Sequence, residues 1–111
     1  MNERTHSWET PKDVAEKLLN LDKEERRKFL RDYPPNLTGI GSLMGFTKIE
    51  IDDDGHTSFY CKAEEFHYNP IGSVHGGLAA TLLDSCNSIS AQCNLDKGFT
   101  ALTTDIKVNY L

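Results

Sequence analysis

The stretch His75–Leu95, HGGLAATLLDSCNSISAQCNL, decides how this chain is read. At 100° per residue, Leu78, Ala79, Leu82, Leu83, Cys86, Ile89 and Cys93 fall on one arc, the apolar stripe of a helix. A surface helix would carry Lys and Glu on its other face, whereas here that face reads Gly77, Ala80, Thr81, Asp84, Asn87, Ser88 and Ala91. Asp84 is the only charged residue between His75 and Leu95. Such a helix is expected to be covered over most of its circumference, and its small residues let a second backbone approach. Asp84 is then a lone carboxylate in the middle of a covered helix, a costly position unless it is paired or hydrogen-bonded. Two readings stay open: a carboxylate satisfied by neighbouring hydroxyls and amides at a water-filled crevice, or a functional acid or nucleophile.

The loop before the helix bears on that choice. Gly76-Gly77 sits at the helix amino terminus, where backbone N–H groups have no intrahelical partner. Glycines leave those donors open to a close ligand, and the positive dipole end suits a phosphate or a developing oxyanion. Asn69, six residues before His75, can add an amide donor. Plain turn geometry explains the two glycines equally well. Other motifs fail on spacing. Gly72 to Gly77 has the GxxxxG of a phosphate loop, but Leu78 stands where Lys is required. Gly39, Gly41 and Gly45 miss GxGxxG by one residue, and Ser73 is one place early for GxSxG. His56, His67 and His75 lack ligand-like spacing, so no metal site is expected.

Upstream, Leu43–Ile51 and Thr57–Glu64 carry β-branched and aromatic residues around Asp53-Asp54-Gly55, which predicts a β-hairpin with Phe59 and Cys61 on one face and Tyr60 on the other. Glu65–Val74 reads as a loop. Downstream, Phe99–Leu111 alternates as a strand. At the front, Thr10-Pro11-Lys12-Asp13 predicts a helix start with Val14, Ala15, Leu18 and Leu19 on its apolar stripe. A second start lies at Asp22, with Glu25 completing a capping box, and Tyr33-Pro34-Pro35 ends that helix. The order helices, hairpin, helix, strand is α+β and not alternating βαβ.

A chain of 111 residues allows one domain, and 38% apolar residues suit a modest core. The net charge of −5 argues against a nucleic-acid binder. No apolar run is long enough to span a membrane, and MNERTHSW has no signal-peptide core, so a cytoplasmic protein is expected. Three cysteines without CxxC spacing argue against a disulfide framework or structural zinc. Residues 1–33 hold eight basic and eight acidic side chains, against four and nine in residues 34–111. The front third therefore reads as a solvated helical appendage, with the run Lys23–Arg31 as its charged face.

NPIGSVHGGLAATLLD, residues 69–84, resembles the signature of hotdog-fold acyl-CoA thioesterases of the PaaI-like and thioesterase-superfamily type. TTDIKVNYL, residues 103–111, resembles the strand that follows the central helix in that family. The resemblance implies a hotdog fold, a long helix wrapped by a curved antiparallel sheet, over residues 36–111, with residues 1–35 as an N-terminal helical extension. Family members continue through at least two further strands, so the expected hotdog domain is incomplete at its C-terminal end or completed by another chain.

The implied activity is hydrolysis of an acyl-CoA thioester without cofactor or metal. Carried over by position, Asp84 is the catalytic carboxylate, as base on water or as nucleophile. Gly76 presents its N–H to the thioester carbonyl, assisted by Asn69, with Gly77 beside it in substrate binding. Thr103 helps orient water, and His75 has a structural or carbonyl-orienting part. The carbonyl-binding groups and the carboxylate tend to come from opposite protomers in this family, which implies a homodimer or homotetramer and an inactive monomer. Only Lys48, Lys62, Lys97 and Lys107 in residues 34–111 are available to the phosphates of coenzyme A. The alternative reading is a non-catalytic hotdog module that binds acyl-CoA or assembles with partners. A hotdog dehydratase or hydratase is a third.

Overall fold

The computed structural model describes residues 1–111. Its elements are helices α1 (Val14–Leu19), α2 (Lys23–Arg31) and α3 (Gly39–Met44), strands β1 (Phe46–Ile51) and β2 (Thr57–Cys61), a 3₁₀ turn (Glu65–His67) and the long helix α4 (Gly76–Gln92). The chain is α+β, as expected, with β1 and β2 forming a two-stranded antiparallel sheet against which α4 packs.

Local chemistry accounts for most of these boundaries. In α2 the Asp22 side chain accepts from the Glu25 N–H while Glu25 reaches back to the Asp22 N–H, which is the anticipated capping box. The hairpin pairs Ile49 with Phe59 and Ile51 with Thr57, and its register slips between Phe46 and Lys48. Thr57, Phe59 and Cys61 face inward and half-buried, while Ser58 and Tyr60 are exposed, as the alternation predicts. At the tip, the Asp52 carboxylate accepts from the backbone N–H groups of Asp54 and His56, each at 2.9 Å, and pairs with the His56 ring. Gly55 sits there at φ 82°, a left-handed conformation that glycine adopts without strain.

Three expectations are corrected. The first helix does not begin at Thr10-Pro11 but at Val14, because Asp13 lies in the left-handed region (φ 59°) and breaks any right-handed turn running in from residue 10. Phe99–Leu111 is not a strand: no neighbouring strand pairs with it, and it instead runs back along α4 as a strap. Gln92 donates to the Ala101 carbonyl, Thr103 reaches Asp84, and the Tyr110 hydroxyl donates to the Gly76 carbonyl. The expected cover around the long helix is also not met within one chain. Only Leu78 and Gln92 of α4 are buried, Leu83 is exposed, and two strands are too narrow to wrap it. α3 and the 3₁₀ turn went unread. The glycines at 39, 41 and 45 open, fill and close α3, with Gly45 at its left-handed C-terminal position.

Residues 1–33 are less solvated than their composition suggests. Leu18 of α1 and Leu30 of α2 form one hydrophobic cluster with Ile51 and Cys93, flanked by Val14, Phe29, Ile49 and Ile89. Arg26, in the middle of the charged run, is 0% exposed. Its guanidinium donates to the carbonyls of Gln92, Asp96 and Phe99 and to the Gln92 side-chain oxygen, and its Nε to the Leu21 carbonyl. Arg27 donates to the Cys93 carbonyl and to the Asp53 carbonyl at the hairpin tip, and Arg31 to the Ile51 carbonyl. α4 has no basic residue in its own last turn, so α2 supplies cations to the negative end of its dipole.

Replacing Arg26 by Met removes a charged donor from several carbonyls at once and is expected to lower stability by about 3 kcal/mol or more. An unchanged urea midpoint would contradict this. Asp52 is held below its ordinary value of 3.8, first by the His56 backbone N–H. Its contribution to the turn is therefore present above 3.8 and lost as pH falls through the lower folded value. Carbon-detected NMR is expected to show the Asp52 carboxyl titrating below 3.8, with the His56 amide shift following the same midpoint. A higher midpoint would remove this account of the turn.

Candidate functional site

The residues singled out by the sequence fall into two groups along α4. At its amino terminus His75 is the N-cap, and its Nδ1 accepts from the Gly77 N–H at 2.8 Å. The Gly77 donor is thereby engaged, which leaves Gly76 as the glycine of the pair whose N–H has no partner in its own helix. Tyr110 lies directly over Gly76: a side chain added at this glycine would meet the Tyr110 ring and hydroxyl at 3.2 Å. Asn69 is occupied in its own turn. Its Oδ1 accepts from the N–H groups of Ile71 and Ser73, and its Nδ2 donates to the Ser73 hydroxyl at 3.0 Å. That arrangement closes the Pro70–Gly72 turn and aims the chain into α4.

The second group lies in the middle of the helix. The Thr103 hydroxyl donates to Asp84 Oδ1 at 2.7 Å, and Ser88 lies 3.2 Å from the same hydroxyl. Thr103 has one proton and gives it to Asp84, so Ser88 is the donor in that second bond. Asp84 is half-buried, and its Oδ2 makes no hydrogen bond within the chain. Thr103 is 19 residues from Asp84 in sequence, and the strap alone brings it there. The strap is set in turn by Gln92, whose Nε2 donates to the Thr100 hydroxyl and the Ala101 carbonyl, and by Arg26 behind Gln92. Ser88, Gln92, Arg26 and Tyr110 were all missed as site residues. Ser88 alone had a signal, since it follows Asp84 by four positions on the same small-residue face.

Asp84 and Ser88 line two clefts. One, of about 300 Å³, lies between α4 and strap residues 101–106. The other, of about 260 Å³, lies among α2, α3, the hairpin and α4 and is lined mainly by apolar side chains. A carboxylate held by the Thr103 hydroxyl at the junction of a polar and an apolar cleft can accept a proton from water or attack an electron-poor carbon. The two residue groups do not meet within one chain. Gly76 and Asp84 are eight positions apart, about 12 Å along the axis. A carbonyl within roughly 3 Å of one cannot also lie within 3 Å of the other.

Elsewhere, Asp52, Asp54 and His56 bring their ligand atoms within 4.8 Å of one another, all exposed, and the Asp52 oxygens serve the hairpin turn. Cys61, Cys86 and Cys93 are free thiols, and burial raises the pKa of Cys61 and Cys93 above the ordinary thiol value. No helix is long and apolar enough to cross a membrane.

The chain is similar to acyl-coenzyme A thioesterase 13 from Mus musculus, Pongo abelii and Homo sapiens, with 38% identity over 50 residues in each case. The matched stretch is 45% of this chain and 35% of each relative, so the chain spans about a third of the length of the curated relatives it matches. The resemblance to acyl-CoA thioesterases drawn from residues 69–84 and 103–111 thus has an independent counterpart over part of the chain. No protein-family model and no solved structure matches it.

Tyr110→Phe removes the hydroxyl that fastens the strap to Gly76 and is expected to speed tryptic cleavage after Lys107 at least threefold, with cleavage elsewhere unchanged. An unaltered rate at Lys107 would show that this contact does not hold the strap.

Proposed function

We propose that the chain is a hotdog-fold acyl-CoA thioesterase, hydrolysing an acyl-CoA thioester to the free acid and coenzyme A. The observation that carries the reading is the 2.7 Å hydrogen bond from Thr103 to Asp84. It joins the two positions that the resemblance singles out, at a carboxylate that also borders an apolar cleft. The similarity to three acyl-coenzyme A thioesterases supports it from the sequence side.

In this mechanism the free Asp84 oxygen takes a proton from water as the water attacks the thioester carbon, and the C–S bond then breaks, the coenzyme A thiolate leaving with that proton. Alternatively the carboxylate attacks the carbon itself, expels the thiolate and forms an acyl anhydride that water hydrolyses back to free Asp84 and the acid. Thr103, itself held by Ser88, fixes the carboxylate so that little reorganisation is needed at the moment of reaction. The Gly76 N–H, at the positive end of α4, stabilises the carbonyl oxygen as it becomes an oxyanion. The 12 Å between these groups in one chain requires a second copy, each protomer lending its helix start to its partner's carboxylate. The assembly is a homodimer or a tetramer built from such dimers, and the same pairing completes the cover that α4 lacks. Residues 36–111 form the part of the hotdog domain that carries these groups, incomplete at its C-terminal end, preceded by the helical extension of residues 1–35. Three unpaired thiols suit a cytoplasmic setting.

Asp84→Asn keeps the shape of the side chain and removes its basicity. It is expected to lower thiol release from acyl-CoA at least 100-fold while leaving the circular-dichroism spectrum unchanged. Activity retained in this variant would sink the proposal. Turnover absent from the parent chain, with acyl-CoA bound intact, would favour the non-catalytic binding module.

A further inference from the structure

The strap that carries Thr103 has no ladder of its own. None of residues 100–111 makes a backbone–backbone hydrogen bond, so side-chain contacts hold the segment in place. On the amino-terminal side of Thr103 that hold is Gln92. Its Nε2 donates to the Ala101 carbonyl at 3.0 Å and to the Thr100 hydroxyl at 2.9 Å, and its Oε1 accepts from the same hydroxyl. Ala101 stands two residues before Thr103. Two residues span no more than about 7 Å of extended chain, so the hold on Ala101 limits where Thr103 can go.

A Gln amide can lie either way round, and only one way serves the strap. Nε2 has protons to give the Ala101 carbonyl, and Oε1 has none. Arg26 makes the choice. Its guanidinium carries donors and no acceptor, so the end of the amide that faces it, 3.3 Å from Nη1, is the oxygen. The nitrogen is thereby turned to the strap. Arg26 is 0% and Gln92 8% exposed, so water competes little for either end. Gln92 borders neither cleft at Asp84 and does not itself meet a substrate there. We infer that Gln92 is a positioning residue for the Asp84 site, acting through Thr103, and that Arg26 brings the helical extension into the reaction by fixing how the Gln92 amide lies. This rests on the thioesterase reading and gives residues 1–35 a share in it.

Gln92→Glu separates position from stability. A carboxylate offers Arg26 a stronger acceptor, but it has no proton for the Ala101 carbonyl and repels it. The urea midpoint is expected to stay or rise, while kcat/KM for octanoyl-CoA, read by thiol release, falls about tenfold or more. In a Thr103→Val background the same substitution is expected to cost less than about twofold, because the group it acts through is already gone. Thr100→Val, at an exposed position, gives the same pattern in smaller measure and stands in should Gln92→Glu unfold. The Thr103 methyl resonance, followed by NMR in parallel, is expected to shift in both variants. Equal losses with and without the Thr103 hydroxyl, an unchanged rate beside a working parent, or an unmoved Thr103 methyl would overturn the positioning role. Methyl shifts in these variants beside a parent chain that releases no thiol would overturn the thioesterase reading and leave the link from Gln92 to Thr103 standing.

Discussion

The Arg26 guanidinium fastens α2 to the end of α4 and to the turn at residues 96–99. It has no carboxylate partner. Its charge is met by a ring of carbonyl oxygens, among them those at the negative end of the α4 dipole. Such a site is expensive to desolvate and depends on every acceptor being in place. With α2 held, Leu30 enters the cluster of Leu18, Ile51 and Cys93, and the Tyr33–Pro35 turn comes to rest beside α4. On the other side, Gln92 is held in the orientation that takes hold of Thr100 and Ala101, which places Thr103 on Asp84. Both clefts at Asp84 therefore depend on one side chain more than ten positions from either glycine of the motif.

Much of this was legible in the sequence wherever chemistry is local. The Asp22–Glu25 capping box, the turn at Asp53-Asp54-Gly55, the alternation of β2 and the long helix all follow from residues within four or five positions of one another. The small-residue face of α4 pointed to Asp84, and the family resemblance of residues 103–111 pointed to Thr103. What was lost was lost to long-range partners. Nothing in KEERRKF distinguishes Arg26 from Lys28, since only the fold decides which cation is buried. The alternation in residues 99–111 is a correct sign of extended chain, but a strand needs a neighbour's hydrogen bonds, and the segment finds helix side chains in their place. α3 was missed because six residues with two glycines have little propensity of their own; packing on Pro35 holds them.

The spread of site residues along α4 has the same logic. A helix presents eight residues over about 12 Å, so one helix cannot bring its start and its middle to a single carbon. In the proposed function a symmetric partner answers this, because a two-fold axis lets one surface supply both halves of a site. The absence of Lys and Glu from the second face of α4 leaves a face poorly suited to solvent and well suited to another backbone.

The way α2 is attached has a consequence for the conditions the molecule tolerates. Arg26 and Arg27 grip backbone oxygens that carry no net charge, and Arg26 is shielded from solvent. Dissolved ions screen exposed charge pairs such as Lys23–Asp96 and Lys48–Glu50, but they reach a buried cation in a carbonyl ring far less. High salt is expected to weaken the ion pairs at the periphery and to leave the frame around Asp84 in place.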